Sequence, residues 1–204
     1  FFITHLHSDH IVDLYQLFIS GWHTGRETKF KVFGPKGLKS HFDKIFEAYK
    51  EELDLRKEWE KRPNVEGLAY EITEINNELK IELDNATIES VKVDHHPVDP
   101  AFGYKFILGP KNIIFSGDTR YCEVLEKSSK DADILVHEVF VGLDYDPVRM
   151  SSDTIENISD YHTTPEEVGL LASNASVKKL ILNHFVPVSY THLRAHETDS
   201  YLVC

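Results

Sequence analysis

The sequence predicts a mixed α/β fold, and three observations carry that expectation. Apolar residues recur at helical spacing in two segments near the start. Further along, they alternate or gather in short runs bounded by turn residues, as strands require. Histidines and aspartates cluster just past the expected strand ends, where active sites gather on folds of this class.

Taken in order, Ile3-Thr4 reads as the end of a strand and His5 to Asp9 as the loop after it. Ile11, Leu14, Tyr15 and Phe18 fall at i, i+3, i+4 and i+7, so a helix follows, with Gly21 placed to end it. Phe30 to Phe33 is a short strand closed by Gly34-Pro35. Leu38, Phe42, Ile45, Phe46 and Tyr49 make a second amphipathic helix. Residues 50–62 are densely charged and end at Pro63, as an exposed helical extension or a lid would.

A β-rich block comes next. Leu79, Ile81 and Leu83 alternate, Asp84-Asn85 turns, and Thr87 to Val93 is extended. Tyr104 to Leu108 and Asn112 to Phe115 form a hairpin around Gly109-Pro110. Ile134 to Val136 is a buried strand. Thr164-Pro165-Glu166-Glu167 is a capping box with proline at the first helical position. Leu180 to Leu182 is the last strand and delivers Asn183-His184. There is no repeat, low-complexity tract or linker, so residues 1–187 are expected to form one domain.

The 204 residues suffice for one substantial core. At 41% hydrophobic and 27% charged, they have the balance of an ordinary soluble protein. No apolar run approaches the roughly 20 residues that span a bilayer, so no membrane partner is expected. Two cysteines, Cys122 and Cys204, are too few for a disulfide framework or a zinc finger, which points to a reducing, cytoplasmic compartment. A net charge of −12 disfavours nucleic acid, whose phosphates are bound mainly by Lys and Arg. With no initiator Met, the chain is expected to begin within a longer protein. Its end, Val188 to Thr198 with Leu202-Val203-Cys204, resembles translated sequencing adaptor, so residues 188–204 are expected to be a non-native tail. The rival is a native helix with His192 and His196 on one face.

Twelve histidines matter here for where they cluster. In His5-Leu6-His7-Ser8-Asp9-His10, four ligand-type side chains occupy six residues. On extended backbone, residues two apart point the same way, so His5 and His7 can hold one ion together. Asp9 and His10, turning back at a helix start, can hold a second. Imidazole and carboxylate suit zinc, iron or manganese.

This segment resembles the His-x-His-x-Asp-His motif of the metallo-β-lactamase superfamily. Three later segments are similar to the family's in order: Val93-Asp94-His95-His96-Pro97-Val98-Asp99-Pro100-Ala101-Phe102-Gly103-Tyr104, Ser116-Gly117-Asp118-Thr119 and Leu182-Asn183-His184-Phe185. The resemblance covers residues 1 to about 187. It implies an αβ/βα four-layer sandwich with the first strands missing, so that one sheet is incomplete and an apolar face uncovered. It implies two divalent ions, zinc by default with Mn2+ or Fe2+ as alternatives. His5, His7 and His95 would hold one, Asp9, His10 and His184 the other, and Asp118 would bridge them. His95 is preferred to His96 from its register with Pro97-Val98-Asp99-Pro100.

The chemistry implied is a dinuclear metal-dependent hydrolase. Two ions about 3.5–4 Å apart share a hydroxide and polarise a phosphodiester, sulfate ester or lactone. Asp9 would also orient the nucleophile. Tyr161-His162-Thr163-Thr164 resembles the proton-donor segment of the ribonuclease Z branch, and Glu138 its carboxylate partner. His137 is expected to be a satisfied core histidine, His23 and His41 to be surface residues, and Cys122 to be packing.

Ribonuclease Z enzymes that mature tRNA carry a protruding arm between the Gly-Tyr segment and the bridging Asp. Here only a hairpin separates Tyr104 from Asp118. The resemblance is therefore closer to armless ribonuclease Z-like or arylsulfatase-like hydrolases acting on a small-molecule ester, with residues 43–66 shaping the pocket. A tRNA 3′-endonuclease is the alternative, with a second subunit of a homodimer as a source of an arm. A mono-iron oxidoreductase of the persulfide dioxygenase kind is another, opposed by the complete second ligand set. A non-catalytic binding module is the last.

Overall fold

The computed structural model describes residues 1–142 and 150–186. The expected tail, residues 188–204, lies outside them. The chain opens with a short helix α1 (Ser8–Ile11), then α2 (Leu14–His23), β1 (Phe30–Pro35), α3 (Leu38–Ala48) and α4 (Lys50–Glu60). A 3-10 turn (Val65–Leu68) leads into β2 (Tyr70–Ile75), which runs parallel to β1. The second half carries β3 (Lys80–Leu83), β4 (Ala86–Val93), β5 (Ala101–Leu108), β6 (Lys111–Phe115), α5 (Glu123–Ser128) and β7 (Ile134–Phe140). It finishes with α6 (Ser152–Ser159), α7 (Pro165–Asn174) and β8 (Leu180–Val186).

These strands make a two-stranded sheet, β1-β2, and a six-stranded sheet in simple order from β3 to β8. The large sheet is antiparallel from β3 to β6 and parallel from β6 to β8. Phe18, Trp22, Phe30, Leu38 and Phe42, all essentially fully buried, join α2 and α3 to the small sheet. Burying each such side chain contributes on the order of 1.5–3 kcal/mol. Val91, Ile114, Leu125, Leu135 and Leu171 join the large sheet to α5 and α7. Ile75, Phe102 and Tyr104 lie between the sheets. The layers thus run helix, sheet, sheet, helix, which is the expected αβ/βα sandwich.

Residues 2–4 stitch the two sheets together. Phe2 bridges to Phe33 of β1, and the Ile3 N–H donates to the Phe33 carbonyl at 2.8 Å. On the other side the Phe102 N–H donates to the Thr4 carbonyl at 2.9 Å, and the Tyr104 hydroxyl to the Ile3 carbonyl at 2.7 Å. This pins the start of the His5 loop at the seam of the sandwich.

Three expectations need correction, and two elements come in addition to those expected. The first helix is broken into α1 and α2. Gly21 does not end it: the Arg26 side chain lies across Gly21, and the chain turns out at Gly25, whose φ of +99° suits glycine. Gly34 and Pro35 do not close β1 but belong to it. The strand β2 was not foreseen, although Tyr70 and Ile72 face one core and Ile75 another. The helix α6, capped by the Ser151 side chain, was not foreseen either. The Thr164 capping box is present, and the β5-β6 connection is the two-residue Gly109-Pro110 turn.

The small sheet is well covered by its helices. A continuous apolar exposure lies instead on β8, at the edge of the large sheet, where Leu180, Ile181, Leu182 and Phe185 are 36–45% exposed. No helix among the described residues is long and apolar enough to cross a membrane.

Candidate metal centre

Every residue of the expected cluster comes from one end of the sandwich. His5 and His7 lie on the loop after the seam segment, and Asp9 and His10 on α1. His95 follows β4, Asp118 follows β6, and Glu138 sits near the end of β7. His162 precedes α7. His184 is reached differently. Glu138 pairs with Asn183 and Val139 with Phe185, so His184 is the extra residue of a β-bulge. Its φ of +42° is left-handed, and the bulge turns its ring toward the cluster. Such a conformation costs a non-glycine residue about 1–3 kcal/mol. Gly117 has a related role, since at φ +61° a Cβ there would stand 2.6 Å from the Phe102 carbonyl oxygen. The tight Ser116-Gly117 turn aims Asp118 inward.

Two ligand groups result. His5, His7, His95 and Asp118 offer donor atoms within 4.8 Å of one another, and so do Asp9, His10 and His184. In the first group His5 is fully enclosed and His95 and Asp118 nearly so, while His7 is half-buried. The second stands at the rim, where the Asp9 side chain is 66% exposed. Asp118 lies between them: its Oδ2 is 3.2 Å from His10 Nε2 and 3.7 Å from His5 Nε2, and its Oδ1 is 3.6 Å from His184 Nδ1. His96 is exposed and outside both groups.

Do these residues fit a metal? His7 Nδ1 is 3.0 Å from His5 Nε2 and 3.2 Å from His95 Nε2. A ring nitrogen has either one hydrogen or one lone pair facing forward, so it cannot serve two imidazoles at once. His95 Nδ1 is 3.0 Å from the Tyr161 carbonyl oxygen and must donate to it, which leaves Nε2 as a bare lone pair facing the cluster. His5 Nδ1 meets the Thr4 hydroxyl at 3.0 Å. The inner nitrogens are therefore frustrated as a hydrogen-bonded set. Donors held about 2.0–2.1 Å from a tetrahedral ion stand about 3.3 Å apart. The observed spacing is close to that edge, and the outer partners are of the kind that orient metal-ligating histidines. The residues fit a cation.

Electrostatics agree. Burial, with the neighbouring imidazoles, depresses His5 to about 3 against the pull of Asp118. Burial likewise depresses His95 to about 4. Both rings are neutral at pH 7, the form that ligates. Burial would raise Asp118, but the hydrogen bond and charge of His10, with the other imidazoles, hold it well below the carboxylate range.

Beside the cluster, His162 Nδ1 lies 3.0 Å from Glu138 Oε1, both side chains buried. The same oxygen accepts from the backbone N–H of Thr119 at 3.1 Å and of Thr163 at 3.2 Å, while Oε2 has no partner among the described residues. Burial raises the Glu138 carboxyl, partly offset by His162. With Nδ1 held, Nε2 is the free nitrogen of His162, and the ring groups with Asp118 and His184. His137 is buried as expected, but its Nε2 lacks a partner among the described residues. His41 is half-buried rather than on the surface, and its Nε2 too has no partner among the described residues. His23 is exposed and Cys122 packs in the large-sheet core. Residue types do not mark the partners behind the rings, because the Tyr161 carbonyl is backbone and Thr4 is an ordinary residue of the segment before the His5 loop.

Known proteins share these features. The family model of the beta-lactamase superfamily domain matches residues 1–185. A putative ribonuclease Z of Mycobacterium tuberculosis is 28% identical over 188 residues, covering 91% of this chain and 83% of that protein. The ribonuclease Z of Mycobacterium marinum is 28% identical over 188 residues, and there this chain spans only 66% of the relative's length. The short form of human tRNase Z superposes with a TM-score of 0.65 at 20% identity, over 90% of this chain and 71% of that one. The metallo-beta-lactamase fold protein YhfI from Bacillus subtilis gives 0.63 at 19% identity, over 95% and 68%. At such identities the two solved structures speak to the fold alone.

Proposed function

Because the chain belongs to the metallo-β-lactamase superfamily, we propose that it is a dinuclear metal-dependent hydrolase whose ester is a phosphodiester. The observation that carries this is Asp118, buried between two ligand groups and within 3.2–3.7 Å of a histidine from each. His5, His7 and His95 would hold one ion, Asp9, His10 and His184 the other, and Asp118 both. Divalent ions there, zinc by default, would make water acidic near neutral pH and offset charge on the ester oxygens. Asp9, exposed at the rim, accepts a hydrogen bond from the attacking water and orients it. His162 gives a proton from Nε2 to the departing oxygen, and Glu138 holds Nδ1 so that the ring keeps its aim. Phosphodiester is preferred to sulfate ester because the curated relatives are named ribonuclease Z.

Those names also support a second reading, a tRNA 3′-endonuclease. The two-residue turn between β5 and β6 and the net charge of −12 weigh against it. A salt-sensitive gel shift with precursor tRNA separates the two. For the main reading, the test is turnover of an aryl phosphodiester with zinc or manganese, beside Asp9→Ala and an aryl sulfate control. Metal-dependent phosphodiester cleavage lost in the variant is expected. Folded, metal-loaded protein that cleaves only the sulfate, or neither, would overturn the reading.

A further inference from the structure

Arg120 belongs to neither ligand group, yet it joins three loops of the site, those that carry His95, Asp118 and His162. Its backbone N–H donates to the Asp94 carbonyl at 2.9 Å. Its Nε donates to the Asp160 carbonyl at 2.9 Å, and Nη2 to Asp160 Oδ2 at 3.1 Å. Nη2 also reaches the His96 carbonyl at 3.3 Å, and Nη1 stands 3.5 Å from both Asp94 oxygens. Asp94 and His96 flank His95. Asp160 lies two residues before His162, and Arg120 itself two after Asp118.

We propose that Arg120 is a positioning residue that locks the proton-donor loop to the metal-ligand loops. This rests on the function proposed above. The fork of a guanidinium is needed, since its donors lie in one plane at fixed angles and here span separate acceptors. By holding Asp160, Arg120 keeps the Tyr161 carbonyl against His95 Nδ1 and keeps the His162 ring between Glu138 and the cluster. One clamp therefore sets both the aim of a ligand and the aim of the proton donor. At 29% side-chain exposure it also lies within reach of solvent, where exposed ion pairs alone contribute little stability. Its effect is expected in site geometry more than in global stability.

The test compares Arg120→Ala and Arg120→Lys with wild type in two ways. First, hydrogen exchange of the metal-free protein is followed at the amides of Tyr161, His162 and Thr163. The clamp requires exchange there about tenfold faster in Arg120→Ala, with the β4 and β5 amides unchanged, and no rescue by lysine. Equal protection in variant and wild type would overturn it, whatever the protein catalyses. Second, kcat is measured on phosphodiesters with good (nitrophenyl) and poor (alkyl) leaving groups, beside His162→Ala. A displaced proton donor slows the poor leaving group by about 10²-fold and the good one far less. If His162→Ala shows that selectivity and Arg120→Ala does not, the clamp fails while the hydrolase reading stands. If neither substrate turns over in the wild type, the hydrolase reading fails, and hydrogen exchange alone decides the clamp.

Discussion

His5 and His95 are buried, with His7 half-buried beside them, and two of the three rings are pinned from behind by Thr4 and the Tyr161 carbonyl. Asp9, His10 and His184 stand at the rim, and His184 is held in place by a strained bulge, its Nδ1 without a hydrogen-bond partner among the described residues. The same ligand chemistry is thus built twice at different rigidity. A pocket whose donors are already aimed loses little freedom when it binds, whereas an exposed carboxylate at the rim must be ordered. On the function proposed above, stepwise loading is expected, with the group around His5 and His95 filling first and the rim group weaker and readier to exchange ligands with substrate.

The largest expected effect comes from the residue the two halves share. Asp118→Ala should lower turnover by about 10³-fold or more and weaken both ions. Turnover within tenfold of wild type would show that the halves act separately.

Acid should next expose the burial difference in the metal-free protein. His5 and His95 are depressed to about 3 and about 4 from 6.5. The unfolded chain therefore binds more protons than the folded one throughout that window. Stability should be full above about pH 6.5 and fall as pH drops toward 3–4. Denaturant midpoints taken across this range check it, and a flat profile would mean that the pocket is not closed to water.

Smaller effects sharpen the contrast. Thr4→Val removes one outer partner and should cost about tenfold in affinity at the buried group alone, read by chelator competition. Thr164→Ala breaks the capping box of α7 and should cost about 1 kcal/mol of stability with metal affinity unchanged. That variant measures how far simple destabilisation can imitate a site defect.

What was legible in the sequence follows the same divide. The spacing in His5-Leu6-His7-Ser8-Asp9-His10 is local, so its residue types alone point to ligands, whereas Asp118 in the Ser116-Gly117-Asp118 turn was implied by the family resemblance. Individual elements were legible from apolar periodicity wherever they bury one clean face, as α3 does, while the sandwich layering was implied by the family resemblance. The register shift that aims His184 was not, because a bulge depends on the pairing of β8 with β7. Nor were the carbonyl behind His95 and the Arg120 contacts, since they join segments distant in the chain. Gly21 misled because glycine marks both helix ends and close approaches, and here it admits Arg26. The strand β2 escaped notice because its polar face is as prominent as its apolar one.

The decisive measurement is a zinc titration of the metal-stripped protein by calorimetry, beside Asp9→Ala. Two ions per chain with unequal affinities are expected, the weaker one alone disappearing in the variant. A single ion in wild type, or equal weakening of both in Asp9→Ala, would contradict a dinuclear site with a buried and a rim half.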